Sequence, residues 1–169
     1  YKVGEKVEEA IKNTLTEFNV EKISIGAFDL KISNEEKSYF LEVKSFKNNS
    51  SYPFLFAPSQ ASRAMLNEPN YAICTIERPL MEVNEISVEY VKNNLLFAKI
   101  LSLEFSKGVQ DLLKYHEIRS NHSISKLKID VLGEVRVEVD KNAIINKSKD
   151  FDSLIKDIRK ELTSTSTGS

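Results

Sequence analysis

Asp29, Glu42 and Lys44 are the residues in this chain whose types and spacing suit chemistry on a phosphodiester. Glu42 and Lys44 are two apart in the run Phe40-Leu41-Glu42-Val43-Lys44. On a β-strand, residues two apart share a face, so both side chains point one way and Val43 points the other. Asp29 lies on the polar side of a preceding strand, Phe28 to Ser33. If the polar segment Asn34–Lys37 is a four-residue turn, Ser33 faces Ser38. Counting back along both strands then brings Asp29 opposite Glu42. Directly opposed side chains have Cβ atoms about 4.5–5.5 Å apart. Two carboxylates at that separation repel unless a cation sits between them. Mg²⁺ suits such a site, since it keeps several waters and binds through one or two carboxylates, and Mn²⁺ is its natural substitute. A cation there polarises a phosphoryl oxygen and acidifies a bound water. The Lys44 ammonium would orient that water or stabilise the developing negative charge. Glu-x-Lys by itself is common on solvated strands. The apolar flanks Phe40, Leu41 and Val43 mark this strand as central, and Asp29 falls at the facing position.

The elements that must position these groups follow from the patterning. Val7, Ala10, Ile11, Leu15 and Phe18 recur at helical spacing, so a helix is expected over 4–18. Ile23 and Ile25 alternate with Ser24 before Gly26 and suggest a short strand. Phe28, Leu30 and Ile32 alternate with Asp29, Lys31 and Ser33, giving a strand with those three apolar residues on one face. Ser38 to Phe46 is the third strand, rich in aromatic and β-branched residues. The segment 47–52 is a polar loop. A helix is expected from Pro58-Ser59 to about Leu66, either capped by Ser59 or opening on Pro58, with Pro69 beyond its end. Tyr71 to Ile76 is an apolar run suited to a buried strand. Beyond it, 88–116 reads as largely helical with Gly108 as a break, 126–139 as a hairpin around Gly133, and 151–162 as a closing amphipathic helix. The fold class expected is α/β, with a mixed and mostly antiparallel central sheet flanked by helices. The chain reads as one domain over 1–162, with a core at about 4–78, an extension over 79–162 and a disordered tail at 163–169.

The bulk numbers bound the partners. Of 169 residues, 41% are hydrophobic and 29% charged, an ordinary globular balance that allows one real core. The net charge of −1 argues against a protein that coats nucleic acid by charge alone. It is compatible with an enzyme that recruits a divalent cation to meet phosphate locally. No run of about 20 apolar residues is present, so no membrane partner is expected. Cys74 is the only cysteine and sits in an apolar run, so it is expected to be a small buried hydrophobe in a reducing, cytoplasmic setting. The first residue is Tyr rather than Met, which suits a piece of a longer parent chain.

On Asp29 and Glu42-Val43-Lys44, the sequence resembles the PD-(D/E)XK, or restriction-endonuclease-like, nuclease superfamily. The order helix, three strands, helix, strand around those motifs extends the resemblance over roughly residues 4–78. More narrowly it is similar to the C-terminal domain of plant NO VEIN proteins and of bacterial and archaeal defence proteins. The resemblance implies that Asp29, Glu42 and the Val43 carbonyl bind the metal and that Lys44 is the catalytic lysine. It pairs Gln60 with the glutamine that some branches place near the active site, the alternative being a first-turn residue that meets only water. It also offers Glu9 as an acidic residue on the first helix and Arg63 as a phosphate contact, although both read more readily as solvated surface. The chain departs from the pattern in two places. Ala27-Phe28 replaces a proline before Asp29, and Gln60 stands where the narrower family often has an acid.

The expected activity is therefore Mg²⁺-dependent hydrolysis of DNA, as the nuclease module of a restriction or defence system. The partners considered are DNA, a homodimer and other domains of a parent chain. The competing expectation is a catalytically inactive module of the same fold that binds nucleic acid or docks protein. A third is an α/β domain in which Glu-Val-Lys is accidental. His116 and His122 with one cysteine make no zinc site. Lys126, Lys128 and Arg136 alternate with Glu134, Glu138 and Asp140, which reads as a mixed solvated face.

Overall fold

The computed structural model describes residues 2–23, 28–47, 52–79, 86–104, 107–108, 110–111 and 137–164. Its centre is a mixed six-stranded sheet flanked by helices. In chain order the elements are α1 (Lys2–Thr14), β1 (Asn19–Lys22), β2 (Leu30–Ser33), β3 (Ser38–Phe46), β4 (Phe54–Phe56) and α2 (Pro58–Leu66). Next come β5 (Tyr71–Glu77), α3 (Val88–Asn94), β6 (Leu96–Lys99) and β7 (Val137–Val139). A helix over Lys141–Lys147, strand β8 (Lys149–Asp150) and the C-terminal helix Phe151–Thr163 complete the set. The sheet runs β1-β2-β3-β5-β6-β8, and β4 pairs with β7 apart from it. β3 and β5 are parallel, and the other pairs are antiparallel. No helix among the described residues is long and apolar enough to cross a membrane.

Strand alternation sorts the core into two layers. Tyr39, Leu41, Ala72, Cys74, Ile76 and Phe97 face α1, α3 and the C-terminal helix. Phe40, Tyr71, Ile73 and Ala98 face α2, β4 and the helix 141–147. Both faces of β3 and β5 are thus covered, as a parallel pair requires. Leu41 is fully buried at the middle of β3. Leu41→Ala is expected to cost about 2–5 kcal/mol, read as a lower denaturant midpoint at unchanged slope.

The expected turn is present, and its chemistry explains its register. Asn34 Oδ1 accepts from the amides of Glu36, at 3.0 Å, and Lys37, at 2.7 Å. An asparagine that mimics a backbone turn in this way fixes a short loop. Its Nδ2 also donates to the Leu162 carbonyl at 2.7 Å, which ties the hairpin to the C-terminal helix. Ser33 pairs with Ser38 and Leu30 with Leu41, as counting along the strands predicts.

Several expectations need correction. Leu96–Lys99 is a strand between β5 and β8, not part of a long helix. α3 ends at Asn94, and Leu95 is already extended at φ −75° and ψ 127°. The apolar run Leu95-Leu96-Phe97-Ala98 carries no period that separates helix from strand, so only the sheet decides it. Gly108 has helical backbone; the positive φ nearby, 50°, belongs to Glu104. The first strand lies at Asn19–Lys22, earlier than the Ile23–Ile25 alternation suggested, and residues 24–27 lie outside the described set. So do 112–136, which hold both histidines and most of the expected hairpin. The part that is described, Val137–Val139, pairs with Phe54–Phe56.

Candidate active site

Glu42 is a buried charged side chain held by two partners. It lies on the α2 face of β3 and is only 2% exposed. Two groups reach its Oε1: the Lys44 ammonium at 2.7 Å and the Gln60 amide nitrogen at 2.6 Å. Its Oε2 is buried with no hydrogen-bond partner. Burial is the main influence on this carboxyl and pushes it up to about 7. The charge and hydrogen bond of Lys44 oppose that rise, the negative charge of Asp29 adds to it, and the hydrogen bond from Gln60 opposes it.

Lys44 is held from two sides. Its Nζ bridges to Glu42 and lies 4.8 Å from the centre of the Phe56 ring. Phe56 is fully buried in the short β4, so the aromatic face is a fixed platform for the ammonium. Nothing in the sequence marks Phe56 or β4 for this role. The run Phe54-Leu55-Phe56 is too short to carry a period of its own.

Gln60 reaches the site because of where α2 begins. The helix opens on Pro58, with Ala57 as its N-cap. Gln60 Oε1 accepts from the Ala57 amide at 2.9 Å, the reciprocal half of a capping box. That bond orients the side-chain amide so that its nitrogen faces Glu42. One residue therefore satisfies a helix end and a buried carboxylate together.

Asp29 departs from the expected geometry in an informative way. Its amide donates to the Leu41 carbonyl at 2.9 Å, yet Leu41 is already the partner of Leu30. Two consecutive residues thus face one, which is the count of a β-bulge. The regular register ends at Leu30, and Asp29 does not pair squarely with Glu42. Instead its Oδ2 accepts the Val43 amide at 2.8 Å, as a strand carbonyl would. The bulge also explains Phe28. It packs against Phe40 on the α2 side, ring centres 4.6 Å apart, rather than with Leu30 and Ile32 on the α1 side. In antiparallel pairing the amide and carbonyl of one residue point to the same neighbour. The Val43 carbonyl is therefore directed to the Asp29 side of β3.

On that side Asp29 lines a cleft of about 730 Å³ with Val43, Ser45, Arg78 and the start of α1. Arg78 Nε donates to Ser45 Oγ at 2.9 Å, which fixes one cation on the wall. Arg63 stacks 5.9 Å from the Phe28 ring. Glu9 is elsewhere, exposed on α1 and paired with Lys6 at 2.8 Å. Tyr71 and Cys74 are buried, and burial followed by the Asp29 and Glu42 charges raises both far above their ordinary values.

No family model matches this chain, nor does any curated protein or solved structure. The functional reading therefore stands on the geometry. Whether these residues suit a divalent cation can be tested on the donor set. Glu42 offers a buried oxygen without a partner, Asp29 a carboxylate whose charge Glu42 feels and that accepts from the Val43 amide, and Val43 a carbonyl toward the Asp29 edge of β3. All are hard oxygen donors of the kind Mg²⁺ and Mn²⁺ take. Among the described residues no cluster of three or more His, Cys, Asp or Glu side chains forms. Two carboxylates and a carbonyl would leave room for the waters that Mg²⁺ keeps, so the donor types fit.

One further polar group was not foreseen. Thr75 on β5 pairs with Lys44 across the parallel ladder and is 1% exposed, and its hydroxyl has no hydrogen-bond partner. In the sequence it is one threonine within an apolar strand, and nothing marks it.

Proposed function

We propose that this chain is a Mg²⁺-dependent nuclease domain with the restriction-endonuclease-like, PD-(D/E)XK core, acting on DNA phosphodiester bonds. The observation that carries the reading is the Glu42 carboxylate. It is buried and held near neutral pH, with one oxygen saturated by Lys44 and Gln60 and the other unpartnered. An unsatisfied buried carboxylate oxygen costs stability, and a structural role alone gives no return for it. The order α1, β1, β2, β3, α2 and β5 supports that reading, with the short β4 inserted before α2 outside the main sheet, and Asp29, Glu42 and Lys44 are the residues the resemblance assigns to its motif.

In this reading Glu42, Asp29 and the Val43 carbonyl hold the cation, and Gln60 fixes the rotamer of Glu42. When bound, the cation polarises the phosphoryl oxygen and lowers the pKa of its water. Lys44 places an ammonium beside that centre, where it stabilises charge building on the phosphate or orients the attacking water. The cleft that Asp29 lines opens on the α1 face, across β3 from Glu42 and Lys44, and carries Arg78, so a phosphate backbone in this reading would meet the cation at the edge of β3. The carboxylates bind and orient without acting as nucleophiles. DNA cleavage of this kind serves restriction and other defence systems, acting as a homodimer or within a longer chain.

The direct test is cleavage of plasmid and linear DNA by the purified protein with Mg²⁺ or Mn²⁺. Asp29→Asn keeps an acceptor for the Val43 amide but removes the charge, and is expected to lower cleavage by at least about 10²-fold. Cleavage that survives unchanged in Asp29→Asn would remove the assignment. A second reading, a non-catalytic module of the same fold, rests on one observation: Lys44 already neutralises Glu42 at 2.7 Å. Titration calorimetry with Mn²⁺ separates the two, because a decayed site takes up no ion.

A further inference from the structure

Among the described residues, two buried side-chain oxygens lack partners: Glu42 Oε2, two residues before Lys44 on β3, and Thr75 Oγ1, on β5 in register with Lys44. Glu42 pairs with Ile73 and Lys44 with Thr75 in the parallel ladder. Neighbouring strands run about 4.8 Å apart, so Thr75 is directly across from the root of the Lys44 side chain. Thr75 keeps the parity of Tyr71 and Ile73, which face α2, and thus shares the face of Glu42 and Lys44. A buried hydroxyl without a partner forfeits hydrogen bonds it would make in water, and valine at that position would avoid the loss.

We infer that Thr75 is a positioning residue for Lys44, its hydroxyl being the acceptor that holds the ammonium once Glu42 engages a cation. The inference rests on the cation reading of the Glu42 site. Its logic is electrostatic. Lys44 Nζ is bound to Glu42 Oε1. A divalent ion on the same carboxylate repels the ammonium and competes for the negative charge that holds it. The ammonium has three donors and, at 18% exposure, would direct most of them to the groups around it. Phe56 offers a ring face that receives the charge but accepts no conventional hydrogen bond. Across the strand, Thr75 Oγ1 is an acceptor that is already desolvated and has no competing partner. Its buried, unpartnered hydroxyl is what such a contact would use.

The contrast between Thr75→Val and Thr75→Ser tests this. Valine keeps the shape and removes the hydroxyl; serine keeps the hydroxyl. In EDTA, Thr75→Val is expected to melt at or above the temperature of the unaltered protein, since an unsatisfied hydroxyl is gone. Titration calorimetry with Mn²⁺ alone is expected to show affinity roughly tenfold weaker for Thr75→Val, because Lys44 then has no acceptor to move to. Thr75→Ser is expected to restore it. Should valine crowd the strand and lower the melting temperature, Thr75→Ala removes the same hydroxyl without added bulk. Equal Mn²⁺ affinity in the hydroxyl-free variant and the unaltered protein overturns the role of Thr75 and leaves the cation reading standing. No Mn²⁺ uptake by the unaltered protein overturns the cation reading, and this inference with it.

Discussion

Lys44→Met is expected to reduce DNA cleavage by about 10²–10⁴-fold, the range that a positioned proton-transfer or charge-stabilising group contributes. Methionine keeps an unbranched stem that still packs on Phe56, so the loss reports the ammonium rather than a cavity. The change also removes the main influence holding Glu42 down, and its carboxyl rises further. This gives a structural signature independent of activity. A buried carboxylate stripped of its cation partner is costly while charged. Near pH 6 it escapes by taking a proton, and at pH 8 it escapes less completely. The melting deficit of Lys44→Met should therefore widen with rising pH, while the cleavage defect persists throughout. Cleavage within about tenfold of the unaltered protein would show that the ammonium does no chemistry and serves only to neutralise Glu42.

How much of this site was legible in the sequence depends on which interactions are local. The hairpin was readable because Asn34 sets the turn with its own side chain, and the turn sets the register from Ser33–Ser38 to Leu30–Leu41. Glu42 and Lys44 sharing a face follows from strand geometry alone. The bulge at Asp29 was not readable, because nothing in Phe28-Asp29-Leu30 distinguishes two residues facing one from simple alternation. That single step moved Phe28 to the other core and turned Asp29 from a partner of Glu42 into an acceptor for the Val43 amide. Gln60 was readable as a first-turn residue, but its choice between solvent and Glu42 depends on α2 crossing the sheet above β3. Phe56 and Thr75 were invisible for the same reason: each acts through a neighbour on another strand. Leu96–Lys99 failed differently, since the apolar run Leu95-Leu96-Phe97-Ala98 carries too little period to exclude a helix. The helix Lys141–Lys147 was missed although Asp140 caps it, accepting from the Asn142 and Ala143 amides.

Glu42→Gln separates binding from stability most sharply, because the two effects have opposite signs. The folded-state carboxyl titrates near 7, above its ordinary value of 4.5, so the folded protein holds more protons than the unfolded chain between those values. Stability contributed by this group is then present at low pH and is lost as pH rises from about 4.5 to about 7, levelling off above. The loss is on the order of 3 kcal/mol at most, since a tenfold change in proton affinity is worth about 1.36 kcal/mol. Glutamine is neutral at every pH and does not take part in this loss. The difference in unfolding free energy between Glu42→Gln and the unaltered protein should therefore shift in favour of the variant from pH 5 to pH 8. The same variant should lose Mn²⁺ binding, having given up a charged ligand. Mn²⁺ at about 100 times its Kd should stabilise the unaltered protein by about 2.7 kcal/mol at pH 8, and the variant not at all. Parallel pH profiles for the two proteins would show that Glu42 is an ordinary carboxylate in a tolerated position. Diverging profiles together with lost Mn²⁺ binding would mean that the fold keeps a destabilising charge in its interior because a cation requires it there.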